Sequence, residues 1–162
     1  MWPTMGKDTV VDEIEVREIE EQATAVIRAR VSRDEIGSWF AASYGALAIH
    51  LQTIGVGTVG LPFARCAEDA DGLDVEAGLP VAHPIRAEGD IEPSSLPGGF
   101  AVTTWHRGAY ATAEPAYAAI SDWLRRNGCE RAGKAWEVYH GDASTDLDEF
   151  TWLTEVVQPF TA

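Results

Sequence analysis

The chain predicts an α+β fold: a duplicated strand-helix-strand-strand unit with pseudo-two-fold symmetry, antiparallel sheets carrying two helices, and a central cleft. Three observations predict it. First, His50 to Cys66 (HLQTIGVGTVGLPFARC) lies over Trp123 to Tyr139 (WLRRNGCERAGKAWEVY) without a gap. Leu51 falls on Leu124, Gly55 on Gly128, Gly60 on Gly133 and Phe63 on Trp136, and the same register puts Tyr44 on Tyr117. Shared glycines and aromatics at one offset are the mark of a repeated supersecondary unit. Second, each copy reads as strands flanking one helix, and a helix laid on one face of an antiparallel sheet makes a layered α+β structure. A single such unit cannot cover its own sheet, so two should combine and leave a groove along their seam. Third, 162 residues at 46% hydrophobic suit one domain made of two fused halves. The whole chain, 1–162, is therefore expected to form a single domain, with repeat 1 at about 12–82 and repeat 2 at about 85–160.

Met1 to Asp12 is a short lead. Val11 to Glu18 and Ala23 to Val31 have the apolar alternation or runs of strands, with Glu20-Glu21-Gln22 as the turn. Ser32-Arg33-Asp34-Glu35 has the S-x-x-E form of a capping box and opens a helix reaching about Thr53. Ile36, Phe40, Tyr44, Leu47 and Leu51 recur at three and four residues, one buried stripe, and Ile54-Gly55 stops the helix. A strand near Val59 to Glu68, a loop at Asp69 to Gly72 and a strand near Leu73 to Val81 complete the first copy. The second copy opens after His83-Pro84. Ile85 to Glu92 and Phe100 to Arg107 read as strands about a turn at Pro93 to Gly99. Thr112 to Asn127 is the second helix, with Pro115 in its first turn and Gly128 as its cap. Ala135 to His140 and Thr151 to Val157 close the copy around an acidic loop, Gly141 to Glu149. The closing strands also match: Val75-Glu76 and Pro80 sit like Thr154-Glu155 and Pro159.

A net charge of −14 excludes a nucleic-acid surface and an anionic membrane, both of which need a basic face. It suits solubility, cationic ligands or a basic partner protein. There is no apolar run near 20 residues and no signal-peptide layout, so a cytoplasmic location is expected. Cys66 and Cys129 stand isolated, reading as two buried, reduced thiols. His50, His83, His106 and His140 are scattered, without HxxxH or HExxH, so no metal is expected. Gly55-Val-Gly57-Thr-Val-Gly60 fits GxGxxG by letter, but it follows a helix and is a loop rather than a dinucleotide site.

The best functional lead is where the copies differ: Ala64 in the first is Glu137 in the second. On a strand, Glu137 and Tyr139 share one face while Trp136, Val138 and His140 take the other. A buried carboxylate without a partner costs on the order of 3 kcal/mol or more, and a site keeps one when a cation or a proton transfer uses it. The bland alternative is an exposed glutamate, or one bonded to backbone at the sheet edge. Six tryptophans make the chain rich in aromatics. Most are core, yet aromatic faces beside one carboxylate suit a lipophilic cation, with about 1–2 kcal/mol of cation–π attraction when desolvated. Trp39 and Tyr44 on the first helix, Phe63 on the strand after it, and Trp105, Tyr110 and Tyr139 in the second copy are the lining candidates.

Gly133-Lys-Ala-Trp-Glu-Val-Tyr139, its partner Val59-Gly-Leu-Pro-Phe-Ala-Arg65, the turn His106-Arg-Gly-Ala-Tyr110 and the tail Thr154-Glu-Val-Val-Gln-Pro159 together resemble the GyrI-like family, the effector-binding domain of AraC-type and MerR-type transcription activators. The resemblance runs from about Asp12 to Phe160. It implies a SOUL-related duplicated fold whose cleft binds hydrophobic, often cationic, small molecules, with multidrug binding among its roles. It also implies a buried glutamate that pairs with the ligand's charge; the residue matching it by motif is Glu137. The chain departs from the family pattern at Cys66, where a Tyr is common, at Leu61 for a frequent Pro, and at Lys134-Ala135 for a second Pro pair. Many relatives carry a DNA-binding helix-turn-helix ahead of this domain; the chain reads as a stand-alone version without it. The SOUL relation lends a haem no more support than a lone His, and no cofactor is expected. Three functions follow: a sensor or sequestering protein for a hydrophobic, cationic compound; a hydrolase of strained electrophiles, with Glu137 as general base and Tyr139 or Tyr110 as donor; and an acidic protein-interaction module in the manner of gyrase inhibition.

Overall fold

A computed structural model describes residues 14–108, 113–140 and 153–162. The lead, Tyr110, the acidic loop and Trp152 lie outside the described residues. The chain divides into two compact units, 19–98 and 1–18 with 99–162.

Within 19–98 the elements are β2 (Gln22–Val31), α1 (Ile36–Ile54), β3 (Phe63–Asp69), β4 (Gly72–Pro80) and β5 (Glu92–Leu96), the sheet running β3-β4-β2-β5. β4 is central and antiparallel to both neighbours, with Arg28 and Arg65 both opposite Glu76 and with Phe63 opposite Gly78. Ala25, Ala77 and Leu79 pack against Leu47 and Leu51 of α1, and Val31, Leu73 and Val75 pack near Ile36, Trp39 and Phe40. Removing each large aliphatic side chain from water stabilises the unit by about 1.5–3 kcal/mol. The stripe expected on α1 is thus the face that is buried. Gly55 ends the helix at φ 72°, with the Val56 N–H reaching Leu51 O at 3.0 Å. A side chain at that left-handed position would clash with the backbone, which glycine avoids.

In the other unit, β1 (Glu15–Ile19), β6 (Gly99–Arg107), β9 (Leu153–Thr161) and β8 (Trp136–Tyr139) lie in that order, and β7 (Glu130–Arg131) adds to β9. α2 (Glu114–Arg126) buries Ala116, Ile120 and Leu124 against Val102 and Val156. Its end repeats that of α1: Gly128 has φ 66°, and the Cys129 N–H reaches Leu124 O at 3.0 Å. Each unit therefore carries strand, helix, strand, strand with the last strand in the middle of the sheet.

Three expectations differ. Ile85 to Glu92 is not a strand; it contains a tight turn bridging Glu88 and Ile91, and the strand is β5, where a turn was read. Among the described residues β5 pairs with β2 alone, which makes it an edge, a place in a sheet that tolerates Pro93. The capping box forms by half: Glu35 accepts from the Ser32 hydroxyl at 2.7 Å, but helix begins at Ile36 and Ser32 caps no helix N–H through its side chain. The thiols are not both buried, since Cys66 is exposed and Cys129 half-exposed. Cys66 lies on β3 opposite Val75, on the helix side of the sheet, yet remains exposed there.

Candidate functional site

The duplication that sets the fold also sets the site. In each unit a helix tyrosine reaches the strand after its helix. Tyr44 of α1 donates its phenol O–H to the backbone carbonyl of Phe63 at 2.6 Å. At the matching place Ala64 offers no side-chain acceptor, so the backbone serves. Tyr117 of α2 finds Glu137 instead and donates to its Oε2, while Tyr139 donates to Oε1 at 3.0 Å. Two phenols thus hold the half-buried carboxylate from both sides, one from the helix and one from its own strand. Hydrogen bonds to an ionised acceptor are about twice as strong as neutral ones, so the pair fixes the carboxylate's orientation.

The strand register assigns the faces. Glu137 stands opposite Val156, which packs against α2, so Glu137 and Tyr139 lie on the helix side of the sheet. Val138 and Trp105 both stand opposite Glu155 on the reverse side. There His140 lies with its ring 4.7 Å from that of Trp105 and its Nε2 3.5 Å from Glu155, the face that strand alternation predicted for it.

Among the described residues three part-buried or buried carboxylates stand on these sheets, and their partners differ. Glu76 accepts from Arg28 Nε at 2.7 Å and Arg65 Nε at 2.6 Å. Glu155 pairs with Arg17 and His140. Glu137 has no cationic partner among the described residues. Cation-paired carboxylates are the rule in interiors, and among these three Glu137 is the one bonded by phenols instead.

Of the expected site residues, the structure brings together Glu137 and Tyr139. It adds Tyr117, which the sequence marked only as the counterpart of Tyr44. Trp105 lies in the same unit on the opposite face. Tyr110 is outside the described residues. Tyr44, Trp39 and Phe63 belong to the unit 19–98. There Trp39, Phe40 and Tyr44 form an aromatic run on α1, with ring centroids 5.0 and 5.8 Å apart, and Phe63 is wholly buried against Gly78. Among the described residues no group of three or more metal-type ligands is found, and no helix is long and apolar enough to cross a membrane.

The crystal structure of the EcmrR C-terminal domain is similar at TM-score 0.79 and 21% identity, covering 92% of this chain and 97% of that one. EcmrR in its DNA complex matches equally well in TM-score, 0.79, at 22% identity and 93% coverage, and this chain spans only 57% of its length. A hydrolase from Listeria innocua (TM-score 0.68, 13% identity, 92% of each chain) and SAV2435 bound to tetraphenylphosphonium (TM-score 0.64, 12% identity, 93% of this chain and 95% of that one) share the fold. Among curated protein sequences, none matches. The model of the GyrI-like small molecule binding domain matches residues 12–160, so the chain belongs to the GyrI-like family.

Proposed function

We propose that this domain binds hydrophobic, cationic small molecules in the cytoplasm, as a sensor or by sequestration, and that Glu137 is the partner of the ligand's charge. One observation carries the reading: Glu137 is held by two phenols and by no described cation, whereas Glu76 and Glu155 are already paired. A lipophilic cation would supply the missing charge, and Tyr117 and Tyr139 would offer aromatic faces beside it. The structure of SAV2435 with tetraphenylphosphonium supports the choice of probe, since that protein shares the fold.

Titrating the protein's tryptophan fluorescence with tetraphenylphosphonium and with uncharged triphenylphosphine oxide tests the reading. Glu137→Gln keeps the shape and removes the charge; its amide oxygen still accepts from one phenol, and its amide N–H turns the other phenol into an acceptor. Cation affinity should fall about 10–100-fold, the equivalent of about 1.4–2.8 kcal/mol, and that of the neutral compound should change little. Equal affinities for the cation in both proteins would remove Glu137 from the site.

A second reading is favoured by the same geometry. A carboxylate fixed by two O–H donors is also poised to take a proton from water, and a strained electrophile in reach would then be hydrolysed. Tyr139 would serve as the donor to the leaving atom, with Tyr110 as the other candidate. If so, Glu137→Gln should lower turnover about 100-fold or more; unchanged turnover ends that assignment.

A further inference from the structure

We propose that the Glu137 site continues across the sheet into a hydrogen-bonding subsite centred on Thr154, so that the preferred ligand carries a hydroxyl or carbonyl arm beside its cationic centre. The inference rests on Glu137 as the partner of the cation and deepens it by naming the ligand class.

The strand register places the groups. On the helix side of the sheet, one row across three strands reads Thr104, Val156, Glu137, and the next reads His106, Thr154, Tyr139. Side chains opposite one another on neighbouring antiparallel strands stand about 4.5–5.5 Å apart at Cβ. Five of these six residues are polar. Thr104, His106 and Thr154 are fully buried, while Glu137 and Tyr139 are half-buried. A wholly buried polar strip beside a half-open carboxylate is an unusual use of an interior, because apolar residues fill such positions more cheaply.

Thr154 is the decisive member. Its side chain is 0% exposed, and its hydroxyl has no hydrogen-bond partner among the described residues. Interiors leave few such groups unmet, and those they do leave ask for an explanation. Two other buried threonine hydroxyls are in the same condition, Thr24 and Thr103. Thr24 belongs to the unit 19–98, and Thr103 stands opposite Val157 on the reverse face. Among the described residues Thr154 is the one on the face of Glu137. It lies between His106 and Tyr139, and Tyr139 itself donates to Glu137 Oε1 at 3.0 Å. Tyr139 thus bonds the carboxylate and stands in register beside the residue whose hydroxyl is unmet. A ligand whose cation sits on Glu137, with an oxygen offset toward the diagonal neighbour on the next strand, roughly 7–8 Å away, would meet both. A pure hydrocarbon cation would meet one. Sites built to hydrogen-bond a ligand hydroxyl discriminate against the analogue that lacks it, because their own polar group is then left unmet.

Fluorescence titrations with tetraphenylphosphonium and (3-hydroxyphenyl)triphenylphosphonium, on wild type, Thr154→Val and Thr154→Ser, test the proposal. Wild type should prefer the hydroxylated cation about 10-fold. Thr154→Ser should keep that preference, and Thr154→Val should bring the ratio of the two dissociation constants close to one. Equal affinities in wild type, or a preference that persists in Thr154→Val, would overturn it. Thermal unfolding adds a second reading: Thr154→Val should melt no lower than wild type, and a clear drop would mean the hydroxyl is already engaged by the protein. Cation binding that is lost in Glu137→Gln but blind to the added hydroxyl overturns only the subsite; failure of both cations to bind overturns the cation site with it.

Discussion

Gly78 carries a sharp prediction. It lies within β4 opposite Phe63, and a Cβ built there would stand 2.2 Å from Phe63 Cζ, 2.5 Å from Cε1 and 2.9 Å from Cε2. Carbon atoms in contact settle at about 3.5–4.0 Å, so in Gly78→Ala the ring would have to retreat roughly 1–2 Å. It has nowhere to go, since Phe63 is 0% exposed and so is Val26, which stands opposite Gly78 on the other side. Overpacking of this kind costs about 1–3 kcal/mol, and the upper end applies to a ring with no exposed edge. Alanine regains about 0.5–1 kcal/mol of backbone entropy over glycine in a strand. The net expectation is a loss of about 2 kcal/mol, a large share of a typical 5–15 kcal/mol. Urea unfolding of wild type, Gly78→Ala, Phe63→Leu and the double variant measures it. If the ring is the cause, the alanine should cost at least about 1 kcal/mol less in the Phe63→Leu background. A neutral or stabilising Gly78→Ala, or the same loss in both backgrounds, would refute the packing argument.

Two further outcomes concern charge. Glu76 has its side chain 8% exposed between Arg65 at 18% and Arg28 at 50%. Glu76→Gln leaves Arg65 short of its counter-charge in a mostly buried place; with the discount for the half-exposed Arg28, the loss should be about 1–3 kcal/mol by urea unfolding, and no loss would mean the network is screened by water. Ser32 donates to Glu35 through its hydroxyl and backbone N–H, which holds the Glu35 carboxyl below its ordinary value of 4.5. A carboxyl lowered in the folded state binds fewer protons there than when unfolded. Its contribution is therefore present above the unfolded value and lost as pH falls through the folded one. The stability difference between wild type and Ser32→Ala should be small and constant at neutral pH and close below about pH 4; a difference that grows in acid would contradict the sign.

The sequence was legible where one residue type has one structural use. Gly55 and Gly128 were readable as helix ends because only glycine enters the left-handed region freely, and both lie there at φ 72° and 66°. The stripe through Leu47 and Leu51 was readable because an amphipathic period has one burial solution. Alternation alone put Glu137 and Tyr139 on one face and His140 on the other. β5 was missed because Pro93 reads as a turn, and only its position at the edge of the sheet makes it tolerable as strand. The half-formed cap escaped for a similar reason, since the Ser32 hydroxyl could either accept from a helix N–H or donate to the Glu35 carboxylate, and geometry decided for the second.

At the site the division is the same. The repeat register already paired Tyr44 with Tyr117 and Ala64 with Glu137, so the position of the extra carboxylate was written in the chain. That Tyr117 would clasp it, that Arg28 and Arg65 would silence Glu76 and Arg17 would silence Glu155, and that Thr154 would be left unmet were decided by tertiary structure. Side-chain pairing across strands depends on register between segments far apart in sequence, and no local pattern carries it. Local propensity and period thus determined which elements form and which face each residue takes; packing determined which carboxylates are answered by cations and which by phenols.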